Sequence, residues 1–189
     1  MDSPRETILK TALFLFAAKG YHAVGVKDLC VSSGITKPTL YYHFGSKRGL
    51  LEAIGKEQYP PFVSGIARSC EYRHDVAACL VAVMEWVLQS ARSGVDFTRL
   101  RLSTAFCPPV SEKYRVFSPY RLETSAILQR FFTEASHDHG NMKGREVPYA
   151  ASFLGTADAY AGLLIAGSID PDEHFVRRVV HHFMHGIFS

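Results

Sequence analysis

Apolar positions recur every three or four residues along nearly the whole chain, and no stretch alternates with period two for long. The pattern predicts helices. The first runs over Pro4–Lys19, with Ser3 placed to cap it, Pro4 at its first position, Glu6 three residues after the cap and Gly20 at its end. Its apolar stripe is Ile8, Leu9, Ala12, Leu13, Leu15 and Phe16. Val26–Ser33 is a short helix closed by Gly34. Thr36 caps another over Lys37 to Phe44, and Ser46 caps a long one from Lys47 that Pro60-Pro61 must end or kink. Further helices are expected over His74–Ser93, Asp96–Phe106, Pro119–His137, Pro148–Ala166 and Pro171–Ile187, with a polar loop at His137–Arg145. The fold class is therefore all-α, with about nine helices. A small bundle over residues 1–50 precedes a larger helical body over residues 51–189.

Composition narrows the class. The 189 residues are 47% hydrophobic, 12% aromatic and 21% charged, which excludes a disordered or low-complexity chain and supplies a sizeable core. Four cysteines without C-x-x-C spacing do not make a disulfide framework. Cys107, beside Pro108, and Cys70 are placed for exposure, Cys30 and Cys79 for burial. The start, MDSPRETILK, lacks a basic stretch followed by an apolar core. The least charged run, Tyr149 to Gly167, carries Asp158 at its middle and reads as a buried helix, not a membrane span. A cytoplasmic protein with reduced thiols and no membrane association is expected.

Charge is more informative when divided. The chain carries a net +3, and all of it lies in residues 1–52, where seven Lys and Arg face four Asp and Glu. The rest is balanced. The asymmetry points to a polyanion as partner of the N-terminal segment.

The segment that carries function is VGVKDLCVSSGITKPTLYYHFGSKRGLL, residues 24–51. Two helices of seven or eight residues joined by a tight turn at Gly34 have helix-turn-helix spacing. Leu29, Ile35, Leu40 and Phe44 fall where they bury against the first helix, leaving the start of the second short helix free to enter a major groove. Lys37 can donate to guanine O6 and N7, and Thr39 and the tyrosines can touch thymine methyls or phosphates. Lys47 opens the next helix, where backbone N–H groups and positive charge together suit a phosphate.

The same residues resemble the tetracycline-repressor (TetR) family of bacterial transcriptional regulators. The likeness lies in Phe16-Ala17-Ala18-Lys19-Gly20-Tyr21, in Gly34-Ile35-Thr36-Lys37, and above all in Thr39-Leu40-Tyr41-Tyr42-His43-Phe44 followed by Ser46-Lys47 and Leu50-Leu51. It covers roughly residues 5–55. The resemblance implies base-edge contacts from Lys37, Pro38 and Tyr41, with Lys27 a further candidate, and phosphate contacts from Thr39, Tyr42, His43 and Lys47. Gly25 stands where the family often has a capping Thr, and Cys30 where it often has Ala. The resemblance further implies a double-stranded DNA operator, a small organic effector bound in the helical body, and a homodimer formed through the last two helices, here Tyr149–Gly167 and Phe175–Phe188.

For the effector, the body offers Met84, Trp86, Phe97, Phe106, Tyr120, Phe131, Phe153 and Tyr160, with Arg101 and Asp158 as polar partners. All of these serve equally as core or interface. His181, His182 and His185 lie on one helix without Cys, Asp or Glu beside them, so no metal site is assigned, and no cofactor is expected. The chain has no Gly-rich phosphate loop, H-E-x-x-H helix or nucleophile elbow, so no enzyme is expected. The reading is a regulator, a repressor in the first instance, released from a palindromic operator by its effector. The alternatives are a helical ligand-binding protein without specific DNA recognition, and a metal- or redox-sensing regulator.

Overall fold

The computed structural model describes residues 3–186, and among them every regular element is helical: α1 (Pro4–Lys19), α2 (Val26–Ser33), α3 (Lys37–Phe44), α4 (Lys47–Ser69), α5 (Val76–Ser93), α6 (Val95–Leu102), α7 (Glu112–Asp138), α8 (Glu146–Ile165) and α9 (Glu173–His185). A single 3₁₀ turn, Gly140–Met142, lies inside the expected polar loop. The proposed helix ends at Ile187 and Phe188 fall outside the described residues.

The chain forms two compact units, Met1–Pro60 with Asp96–Pro119, and Pro61–Val95 with Tyr120–Ser189. In the first, α2 packs on α1 and on α3. Ile8, Leu9, Ala12, Leu15 and Phe16 of α1 are buried, as are Leu29, Leu40, Leu50, Leu51 and Ile54, whereas Leu13, Ile35 and Phe44 are only half-buried. The Tyr59 ring meets Phe97 edge-on at 5.0 Å and Phe117 at 5.2 Å, so α6 and the start of α7 share the core of this unit with α4.

In the second unit α5 is the central helix, with α8 and α9 packed on it. It is long and apolar enough to cross a membrane by length and composition alone. Here its apolar face, Val76, Cys79, Leu80, Val83, Met84, Val87, Leu88 and Ala91, is buried. Phe153 of α8 meets Phe183 of α9 at 4.9 Å, and Tyr160 meets Phe175 at 5.4 Å. At the α4–α5 contact a Cβ on Gly65 would lie 1.9 Å from Trp86 Cε2, so only glycine admits the indole there. Trp86 Nε1 donates to the Phe62 carbonyl at 3.0 Å, and Arg68 lies over the ring.

Four sequence expectations are corrected. Pro60 and Pro61 do not end α4, which continues to Ser69. Both prolines are exposed, so the carbonyls of Lys56 and Glu57, which lose their helical N–H partners, can turn to water. Likewise α7 starts at Glu112, not Pro119, with Ser111 Oγ accepting from the Tyr114 N–H at 3.2 Å and Pro119 left exposed inside the helix. α6 stops at Leu102, short of Phe106, where the hydroxyls of Ser103 and Thr104 both donate to the Leu100 carbonyl at 2.9 Å and compete with the helix. Cys70 is buried, not exposed, because the first turn of α5 folds over the end of α4: the Cys79 thiol donates to the Glu71 carbonyl at 3.5 Å.

The α4–α5 loop is tied to the end of α7. The Asp138 carboxylate accepts from the Tyr72 hydroxyl at 2.8 Å and pairs with His74 Nδ1 at 2.6 Å. His74 and Tyr72 hold Asp138 below the usual carboxylate range, while burial and Asp138 push the Tyr72 hydroxyl up to about 12. A carboxylate with a depressed folded pKa contributes stability above the ordinary carboxylate pKa and loses it as pH falls through the folded value. Thermal melts of the wild type and Asp138→Asn should therefore differ at pH 6 and converge as pH falls below about 4. A constant difference down to pH 2 would contradict the pairing.

Candidate nucleic-acid interface

The α2–α3 segment is set by local caps. Gly25 offers no side-chain oxygen, and Asp28 of the first turn reaches back instead, accepting from the Gly25 N–H at 2.8 Å. Gly34 takes the left-handed conformation, φ 65° and ψ 31°, which a Cβ disfavours. Its N–H donates to Val31 O and the Ile35 N–H to Cys30 O at 3.0 Å, closing α2. Thr36 restarts the helix: its hydroxyl accepts from the Thr39 N–H at 3.4 Å and lies 2.9 Å from the Thr39 hydroxyl.

Leu40 is the one α3 residue fully withdrawn from solvent. With it pointing inward, the helical period turns Lys37, Pro38, Tyr41 and Tyr42 outward, and all four are exposed, Tyr42 at 86%. Thr39 and His43 are half-buried at the flanks, the His43 ring meeting Tyr42 edge-on at 5.1 Å. Lys27 is exposed on α2. An exposed cation, a proline and two tyrosine rings thus share one face of a helix that has little other surface.

Lys47 stands apart from these. It is half-buried, with its ammonium 4.2 Å from the centre of the Tyr21 ring. The Tyr21 hydroxyl donates to Glu112 Oε2 at 2.6 Å. Burial and the Glu112 carboxylate push the Tyr21 hydroxyl far up, and burial lowers Lys47 against the opposing pull of Glu112. Sequence reasoning did not single out Tyr21 or Glu112 for this neighbourhood, since 91 residues separate them and no local spacing joins them.

It also missed Gly49. A Cβ there would lie 2.0 Å from the Phe44 carbonyl oxygen, so glycine lets the end of α3 close on the first turn of α4. The Gly49 N–H donates to the capping Ser46 hydroxyl at 2.9 Å. The available signal was a glycine in a first helical turn, where propensity argues against one.

The proposed effector residues divide. Phe97, Arg101 and Phe106 belong to the first unit, where Phe97 and Arg101 are buried and Phe106 is 94% exposed on the turn after α6. Met84, Phe131 and Phe153 are buried in the second unit, and Trp86, Tyr120, Asp158 and Tyr160 are half-buried there. His181, His182 and His185 are exposed on α9.

The sequence pattern of "Bacterial regulatory proteins, tetR family" matches residues 8–54, the segment just described. This segment belongs to the TetR family. Among TetR-type relatives the chain is 33% identical over 139 residues to the HTH-type transcriptional activator FasR of Mycolicibacterium smegmatis. That match covers 74% of this chain and 62% of FasR, less than two thirds of the relative's length. Solved TetR-like folds extend the likeness to the whole chain. PfmR of Thermus thermophilus, a TetR family transcriptional regulator, superposes with TM-score 0.75 at 22% identity over 99% of this chain and 98% of its own. FadR of Bacillus subtilis, solved with stearoyl-CoA, gives TM-score 0.77 at 17% identity over 96% and 98%.

Proposed function

We propose that the protein is a homodimeric, effector-controlled regulator that acts in the cytoplasm and binds a palindromic DNA operator through α3. The observation that carries this reading is the outward face of α3, where Lys37, Pro38, Tyr41 and Tyr42 are exposed around a single buried Leu40. Lys37, Pro38 and Tyr41 read base edges, with Lys27 assisting, while Thr39, Tyr42, His43 and Lys47 contact phosphates. A stripe at four-residue spacing on α8, Val147, Ala151, Gly155, Ala159 and Leu163, is exposed throughout and supports dimerisation through α8 and α9. Two copies would then present α3 to half-sites about 34–36 Å apart.

The effector is a small organic molecule held among the apolar and aromatic residues of the helical body. Because a protein of the same fold holds stearoyl-CoA, acyl thioesters are the first compounds to test. An effector can shift the DNA-competent state by no more than its differential affinity for the two states. Release of a repressor is the first reading of the outcome. Activation is the second, favoured by the likeness to FasR, which is named an activator.

Selection of genomic fragments on the purified protein at physiological salt tests the reading. Recovery of a few fragments sharing a palindrome supports it, whereas random fragments favour a helical ligand-binding protein without sequence recognition. On the recovered site, Lys37→Ala is expected to cost about 1–3 kcal/mol at its own base step. Lys47→Ala should weaken all sequences alike and shallow the salt dependence by about one charge. Equal effects of both on specific and random DNA would refute the assignment.

A further inference from the structure

Lys47, Tyr21 and Glu112 form a chain of contacts that the operator reading uses only at one end. The Lys47 ammonium rests 4.2 Å from the Tyr21 ring centre, and the Tyr21 hydroxyl donates to Glu112 Oε2 at 2.6 Å. A short hydrogen bond to a carboxylate draws the phenol proton away and enriches the ring face, which strengthens its hold on a cation. Glu112 also acts on Lys47 directly, favouring its charged form. Glu112 opens α7 just after the Pro108-Pro109 turn, so its position is set by the α6–α7 segment and not by the three helices of the DNA-reading bundle.

We propose that Glu112 is a positioning residue that holds Lys47 back from DNA: through Tyr21 and its own charge it keeps the ammonium stowed, and displacement of the first turn of α7 frees it for a phosphate. A phosphate must draw the ammonium off the ring and out of the carboxylate's field, so the same lysine binds DNA more weakly with Glu112 in place than without it. The start of α7 thereby sets the strength of the sequence-independent part of DNA binding. This rests on Lys47 being a phosphate contact.

The test is a double-mutant cycle on the full chain with a labelled mixed-sequence duplex of about 30 base pairs, titrated across a salt series. Glu112→Gln keeps an acceptor for Tyr21 and removes the charge. Expected is a tightening on the order of threefold or more near 0.1 M salt, with a steeper salt slope, that largely disappears in the Lys47→Ala background. A Glu112→Gln effect of equal size in both backgrounds, or none in either, overturns the proposal. A Lys47→Ala variant that binds as the wild type does defeats the phosphate assignment itself, and the proposal with it. Circular dichroism melts of each variant show whether it is folded; a Glu112→Gln chain that melts early and binds more weakly would assign Glu112 a purely structural role and likewise overturn the proposal.

Discussion

Replacing Gly49 by alanine is expected to destabilise the first unit by about 2 kcal/mol and to weaken DNA binding on the order of tenfold or more. The added Cβ falls 2.0 Å from the Phe44 carbonyl oxygen, a backbone atom that cannot rotate away as a side chain can. Either α3 moves off α4 or the first turn of α4 unwinds, and both shift Lys37 and Tyr41 relative to the groove that they are proposed to read. Alanine ordinarily favours a helix over glycine by about 1 kcal/mol, so the sign of the stability change is itself diagnostic. Thermal melts and titration of the recovered operator give both numbers. A stabilised variant with unchanged affinity would mean that the α3–α4 junction yields without moving the reading helix.

Gly65→Ala should destabilise the second unit by about 3 kcal/mol, at the upper end for overpacking. Its Cβ would come within 2.3 Å of three atoms of Trp86, and the indole has little room to retreat because Nε1 is tied to the Phe62 carbonyl and Arg68 covers its ring. Trimming the indole should relieve the clash. In denaturant titrations Trp86→Leu is expected to cost about 2 kcal/mol alone, yet the double variant should lose at least about 1 kcal/mol less than the two single losses added together. Additive losses would show that α4 and α5 separate freely at this point.

The parts of the fold that the sequence predicts well are those whose causes are local. α1 to α3 begin and end where Ser3, Glu6, Gly20, Gly34 and Thr36 place them, because each boundary depends on one cap within four residues. The errors over the long helices share one physical origin. Pro60-Pro61 read as an end or a kink and Pro119 as a helix start, but a proline on an exposed face forfeits a hydrogen bond that water replaces, and packing elsewhere keeps the helix going. Two of the three divisions between the compact units fall beside these same prolines, after Pro60 and after Pro119; the third lies between Val95 and Asp96. The outward face of α3 was likewise legible, from Leu40 and the helical period. Tyr21–Glu112, Gly49 against Phe44 and Gly65 against Trp86 were not, since each is a close approach between segments that only tertiary packing brings together.

The cysteines supply a clock for each unit. Cys30 is buried in the first unit and Cys70 and Cys79 in the second, while Cys107 is only half-buried. Burial pushes the Cys70 thiol up to about 12 and raises Cys79 as well, so neither offers much thiolate to an alkylating reagent near neutral pH. Cys107 should therefore take up a maleimide first. Slower labelling at Cys30 then times the opening of the first unit, and labelling at Cys70 and Cys79 times that of the α5-centred unit. Mass spectrometry of peptides from one reaction would thus follow both openings in the unmodified sequence, without an introduced probe.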